Sequence, residues 1–218
     1  MNKLVPYICM MLGISLAPSI AFAANVLVVH GINGKDLNLP KELPVDISVN
    51  GTCALKGVTF GASAPVELAA GTYQITVHPS DGFCKSAAVI NQAVQVPSTA
   101  TNIGLVANLS DASIPQLTAF VNDGPKGSIF VNNTARKNKV FAGIGANGLF
   151  FFSAVPLKNG GNVRVGEFGK NRRLTVTIAR LKQRKPLFSR TLPSAKAVVL
   201  YVIGSRQNGV LIVSQRIE

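Results

Sequence analysis

Gly143-Ile144-Gly145-Ala146-Asn147-Gly148 fits G-x-G-x-x-G, and Glu167 lies where a ribose-binding acid would be sought, so the first chemistry offered on paper is dinucleotide binding. That chemistry needs a helix whose N-terminus holds the pyrophosphate, whereas Leu149 to Pro156 is Phe-rich and ends in proline. The segment reads instead as a Gly-rich turn between strands. Gly61-Ala62-Ser63-Ala64-Pro65 lacks the final Gly of a nucleophile elbow. His30 and His78 are the only histidines, have no ligand-like spacing and close apolar runs, which predicts half-buried or rim positions. Beyond Asp123 the acids are Glu167 and Glu218 alone, too few for paired-carboxylate hydrolysis within the second half. The chain reads as non-enzymatic, with no catalytic residue, metal site or small-molecule cofactor expected.

Basic residues are the remaining signal. From Ala24 to Asp123 there are four Lys, no Arg and seven acids, whereas Gly124 to Glu218 holds seventeen Lys or Arg against two acids. The halves therefore differ in sign, and the second should attract polyanions. Three groups stand out: Arg136, Lys137 and Lys139; Lys170, Arg172 and Arg173; and Arg180, Lys182, Arg184 and Lys185, with Arg190 beyond them. The last two groups bracket Leu174 to Ile178, whose alternation reads as one strand, so they belong at opposite poles of a sandwich. The place of Arg136 to Lys139 is open at this point. Arginine offers bidentate contacts to phosphate or carboxylate, which suits an anionic envelope polymer: lipopolysaccharide, acidic polysaccharide, peptidoglycan or DNA. An acidic protein surface, including the first half of a neighbouring copy, is equally suited, and head-to-tail self-association would follow.

Export sets the compartment. Lys3, the apolar run Ile8 to Leu16 and the exit Ala21-Phe22-Ala23 read as a signal peptide over residues 1–23, with cleavage after Ala23. Pro18 and Ser19 interrupt the segment short of a bilayer span, so no transmembrane segment is expected after cleavage. Cys9 leaves with the leader. Cys53 and Cys84 remain, in a chain bound for the periplasm or cell surface, and are expected to form one disulfide.

The elements that must position these residues are strands. No stretch of a dozen residues holds a helical apolar period free of Gly or Pro. In the first half the strand candidates are Val26–His30, Val45–Asn50, Ala54–Phe60, Val66–Ala69, Tyr73–His78, Val89–Val96, Ile103–Leu109 and Leu117–Val121. Asn50-Gly51, Ala70-Gly71 and Ser80-Asp81-Gly82 supply turns. The second half repeats the first. Val96 to Val106 answers to Leu192 to Val202 at an offset of 96 residues, and Val26 to His30, Tyr73 to Val77 and Leu117 to Val121 answer to Ile129 to Asn133, Leu174 to Ile178 and Val210 to Val213. The expectation is an all-β chain of two tandem antiparallel β-sandwiches, immunoglobulin-like or transthyretin-like, over residues 24–123 and 124–218. Asp123-Gly124-Pro125-Lys126-Gly127 links them closely through a modest interface. Phe150 to Phe152 cannot all point to one face, so both faces of that strand should be covered, the alternative being an exposed membrane- or partner-binding patch.

At the repeated segments the chain resembles a bacterial secreted family known as domain of unknown function 4397, which often occurs in tandem. The likeness is carried by Val26 to His30, Val45 to Gly51, Leu68 to Val77 and Gln116 to Asp123, and in the second copy by Asn133-Thr134-Ala135, Tyr201 to Ser205 and Ser214 to Ile217. The second copy departs from it with Asn133 where a His would stand and Gly166-Glu167-Phe168-Gly169 near the expected Ala-Gly turn. The resemblance implies β-sandwich domains at the cell surface or in the envelope and supplies no catalytic residues. Together these readings give an exported, envelope-associated binding protein whose second half contacts an anionic polymer. The alternative is a structural or accessory subunit of an envelope protein assembly.

Overall fold

A computed structural model of the chain describes residues 23–146, 149–152, 156–167, 174–180, 186–192 and 197–217; the side chains of 146, 149–152 and 174–176 fall outside that description. The expected leader, residues 1–23, lies outside it apart from Ala23. The first half forms eight strands, β1 Ala23–His30, β2 Val45–Val49, β3 Thr52–Val58, β4 Ser63–Ala69, β5 Gly71–Pro79, β6 Ile90–Val96, β7 Asn102–Leu109 and β8 Pro115–Val121, with one 3-10 turn at Gly34–Leu37. The second half forms β9 Ser128–Asn133, β10 Val140–Ala146, β11 Leu149–Phe152, β12 Gly161–Glu167, β13 Leu174–Arg180, β14 Phe188–Leu192, β15 Ala197–Ser205 and β16 Gly209–Ile217.

Strand order shows the duplication. The first half has sheets β4-β1-β7-β8 and β3-β2-β5-β6, and the second has β12-β9-β15-β16 and β11-β10-β13-β14, the same order advanced by eight strands. The expected all-β architecture holds. Within it, β1 pairs with β7 and β9 with β15 in parallel, while the other pairings are antiparallel. Two sheets of four in this order differ from the immunoglobulin arrangement, in which the second strand shares a sheet with the first. The transthyretin-like alternative is the one that remains.

The repeat register needs correction over the last three strands of each copy; in β8 and β16, Leu117 corresponds to Ile212 and not to Val210. Ile103 pairs with Val26, and Val198 pairs with Ile129, so β7 and β15 correspond at an offset of 95. In the hairpin before them the offset is 98, since Tyr73 pairs with Val94 and its counterpart Leu174 pairs with Leu192, so the chain between β14 and β15 is three residues shorter than that between β6 and β7 and 96 holds in neither strand. A slip of one residue would exchange the two faces of a strand. At the corrected offset Leu105 matches Leu200, and both are fully buried core residues.

Burial explains the stacking. Val26, Val28, Ile103 and Leu105 face Ile47, Ile75 and Val77 of the other first-half sheet. Ile129, Val131, Val198 and Leu200 likewise face Val140, Ala142 and Ile178. The intervening residues Leu27, Val29, Val106 and Phe120 meet Phe130, Val199, Tyr201 and Ile203 in a third core that joins the halves. Sheets β4-β1-β7-β8 and β12-β9-β15-β16 are thus covered on both faces. This accounts for the unbroken apolar runs of β1 and β15, as is usual for parallel strands buried twice. The junction is a hydrophobic core of its own, because alternate residues of four central strands are committed to it.

Gly143 and Gly145 correct another expectation: they lie inside β10, opposite Phe152 and Phe150 of β11, and only Gly148 falls between strands, outside the described residues. The covering of the Phe150 to Phe152 rings lies outside the described side chains. Cys53 and Cys84 form the expected disulfide, with Cα atoms 5.6 Å apart. No helix among the described residues is long and apolar enough to cross a membrane.

Candidate functional site

The links that follow odd-numbered strands gather at one end of the molecule. In the first half Gly61 N donates to His30 O, Phe60 N to Glu42 O and Ser80 N to Pro44 O. In the second, Leu157 N donates to Val140 O, Arg136 N donates to Gly204 O, and Val140 pairs with Arg180. Across the junction Gly204 N donates to Gly31 O. Both halves therefore present these loops at a common pole, a consequence of the face-to-face parallel stacking of two copies.

Of the basic residues singled out by sequence, Arg136, Lys137, Lys139 and Arg180 meet at this pole, where Arg206 of the β15–β16 turn joins them. Lys137, Lys139 and Arg206 are exposed, and Arg180 is half-buried. Burial first, and the like charge of Arg206 second, hold the Arg180 pKa below its ordinary value. Arg136, Lys137, Ser205, Arg206 and Gln207 line a cleft of about 340 Å³. Among the described residues the Arg206 guanidinium and the Lys137 ammonium have no hydrogen-bond or ion-pair partner, and the Nε atoms of Arg136 and Arg180 are buried without one. The recess thus has unneutralised donors at its mouth and a guanidinium in its wall. It suits the oxygens of a phosphate, sulfate or carboxylate.

Arg136 itself is not surface charge. Its side chain is 9 % exposed, and its Nη2 lies 3.3 Å from Oδ1 of Asp36, which is 1 % exposed. Nη1 donates to Ser113 Oγ. The Asp36 oxygen also accepts from Ser205 Oγ at 2.8 Å and Asn208 Nδ2 at 2.7 Å. The 3-10 turn that presents Asp36 is capped by Asn33, whose Oδ1 accepts from Lys35 N while its Nδ2 donates to Asn208 O. Asp111 Oδ1 accepts from Lys137 N at 2.7 Å, where Lys137 has a left-handed backbone, φ 54°. Two first-half acids therefore clasp the loop that carries the second half's cations.

His30 is fully buried, in place of the half-buried or rim position expected, because β1 is covered on both faces. Its Nε2 donates to Leu43 O at 2.8 Å, and desolvation lowers its pKa to about 4. Asn133, its counterpart in β9, donates to Asn138 O and Leu157 O. Both side chains close the loop after an opening strand, so the His-to-Asn departure keeps the structural task. His78 is half-buried as expected, and no group of three or more His, Cys, Asp or Glu among the described residues could hold a metal ion.

Arg190 stands apart, exposed in β14 opposite Val176. Lys170, Arg172, Arg173, Lys182, Arg184 and Lys185 lie outside the described residues. The strand ends that bracket the first three, Glu167 and Leu174, fall at the far end of β12 and β13 from Arg180. Sequence reasoning missed Arg206 because it is an isolated charge beside an Asn-Gly turn. The signal that finds it is topological, since its turn follows an odd-numbered strand.

No family model matches the chain, and no curated protein matches it. Among solved structures, a streptococcal virulence factor described by its alpha-glucan binding matches at 7 % identity and a TM-score of 0.29, over 87 % of this chain and 96 % of that one. A candidate adhesin from Bacteroides ovatus matches at 10 % identity and a TM-score of 0.22, over 87 % of this chain and 92 % of the other. At those TM-scores neither likeness carries an argument about this chain.

Proposed function

We propose that this is an exported, non-enzymatic, envelope-associated binding protein whose second half contacts an anionic polymer through the loop pole. The observation that carries the reading is the cleft that Lys137 and Arg206 line with no acid in its lining, with Arg180 near enough to Arg206 to feel its charge and exposed Lys139 two residues from Lys137. The Cys53–Cys84 disulfide supports an oxidising compartment, and the leader-like start of the sequence supports export. Arg136 contributes to the cleft wall, but its charge is matched by Asp36.

The test is binding of the chain from Ala24 onward to lipopolysaccharide, peptidoglycan and duplex DNA between low and physiological salt. Each cation that displaces a counterion from duplex DNA steepens the log–log salt slope by about 0.9. Lys137→Asn with Arg206→Ser is expected to flatten that slope by about 2, Asn being chosen because it tolerates the left-handed backbone of position 137. Binding that ignores both substitutions, or no binding to any of the three at physiological salt, refutes the reading and turns the search to acidic protein partners.

A further inference from the structure

The first half, although net acidic, places apolar side chains on the same pole. Six large hydrophobic side chains are exposed among the described residues: Leu39, Phe83, Val89, Ile114, Val121 and Leu211. Four of them, Leu39, Phe83, Val89 and Ile114, lie in first-half links that follow odd-numbered strands.

Phe83 is the most exposed, at 67 %, and the loop that holds it is braced by hydrogen bonds and the disulfide. Asp81 accepts from the backbone N–H groups of Phe83, Lys85 and Ser86. Asp46 accepts from Gly57 N, Ser80 Oγ, Asp81 N and Gly82 N. Burial alone would raise the Asp46 carboxyl, but these donors outweigh it and hold the group well below the usual carboxylate range. Cys84 is tied to Cys53, and His78 Nδ1 donates to Ser86 O. A ring held out in water by a preformed loop loses little conformational freedom when it is buried.

The flanking charges indicate what would bury it. Lys56 and Lys85 place their ammonium groups 5.6 and 5.8 Å from the Phe83 centroid, and they are two of the four basic residues between Ala24 and Asp123. Of the acids on these loops, Asp36 is paired with Arg136, while Asp81, Asp111 and Glu42 keep their negative charge, the first two with their oxygens turned to backbone N–H donors. An apolar tip with two lysines against it, on the same pole as a cationic cleft, matches the boundary between acyl chains and phosphate headgroups.

We infer that the loop pole docks on an anionic lipid surface, with Phe83 as the inserted anchor and Lys56, Lys85 and the second-half cations on the headgroups. The inference rests on the reading above that this pole meets an anionic partner, and it names that partner as lipid.

The chain contains no tryptophan, so Phe83→Trp supplies a single emission reporter. With phosphatidylglycerol-containing vesicles its emission should shift to the blue, and with pure phosphatidylcholine vesicles or duplex DNA it should not. Phe83→Ser should weaken partitioning onto the anionic vesicles roughly tenfold. Lys56→Ser with Lys85→Ser should weaken it roughly 25-fold. Phe83→Ser should leave DNA binding and the melting temperature unchanged, because the ring is solvent-exposed. Co-sedimentation without a blue shift, partitioning within twofold after Phe83→Ser, or an equal shift on DNA overturns the lipid inference and leaves the polymer reading standing. Absence of binding to vesicles, DNA, lipopolysaccharide and peptidoglycan alike overturns both.

Discussion

Asp36→Asn tests whether the two halves share one electrostatic clasp. The carboxylate is 1 % exposed and meets three side-chain donors, of which Arg136 alone carries charge. Asn keeps an oxygen for Ser205 and Asn208 but leaves the Arg136 guanidinium, 9 % exposed, without a counter-charge. Breaking a buried pair from one side costs about 3–5 kcal/mol. The contact is a single one at 3.3 Å and not a bidentate fork, so the lower end applies, about 3 kcal/mol. For a chain of this size that corresponds to a melting point lower by roughly 6–12 °C. Arg136→Met should cost a similar amount, and the double variant should lose far less than the sum, with a coupling of about 2 kcal/mol or more. Urea and thermal unfolding of the four proteins give the cycle. A loss below about 1 kcal/mol for Asp36→Asn, or strict additivity, would refute the reasoning.

Two further outcomes follow from buried groups. His30 has a folded-state pKa near 4 against an ordinary 6.5, so its neutral form stabilises the fold fully above pH 6.5. That contribution, about 3 kcal/mol, is lost as pH falls from 6.5 to 4, and His30→Gln, which retains a donor for Leu43 O, should flatten this part of the stability–pH curve in urea titrations. An unchanged slope would contradict it. A Cβ at Gly104 would lie 2.4 Å from the Tyr201 hydroxyl oxygen, so Gly104→Ala should cost about 1–3 kcal/mol by overpacking the junction. Stability within 0.5 kcal/mol of the parent chain, again by urea unfolding, would show that the Tyr201 ring is seated elsewhere.

Local pattern made the strands of the first half readable, since turn residues such as Asn50-Gly51 punctuate alternating segments. The matching of strands between copies was also readable, except that an apparent 96-residue offset hid a three-residue shortening between β14 and β15 and that the final strand was matched two residues early. The depth of the junction was harder to see. Its sign was the absence of alternation in Val26 to Val29 and Val198 to Ile203, which marks burial on both faces but also fits an ordinary core strand. At the candidate site, the basic groups were visible but their exposure was not. Arg136 and Lys137 are neighbours in sequence, yet one is buried against Asp36 a hundred residues away and the other faces water. Only the long-range stacking separates them. The same stacking brings Arg206 to the pole.

The seat of Tyr201 also bears on how the tandem arose. In a pair of identical copies facing one another, each residue of one surface recurs at the same position on the other. Here Tyr201 corresponds to Val106, and Gly104, which leaves room for the Tyr201 ring, corresponds to Val199. Two first halves would bring Gly104 together with no ring to fill the space, and two second halves would set Tyr201 against Val199. Each copy is therefore keyed to the other and not to itself. If the ancestor was a self-pairing single domain, fusion has since turned it into a left and a right glove, and neither can be exchanged for a duplicate of its neighbour.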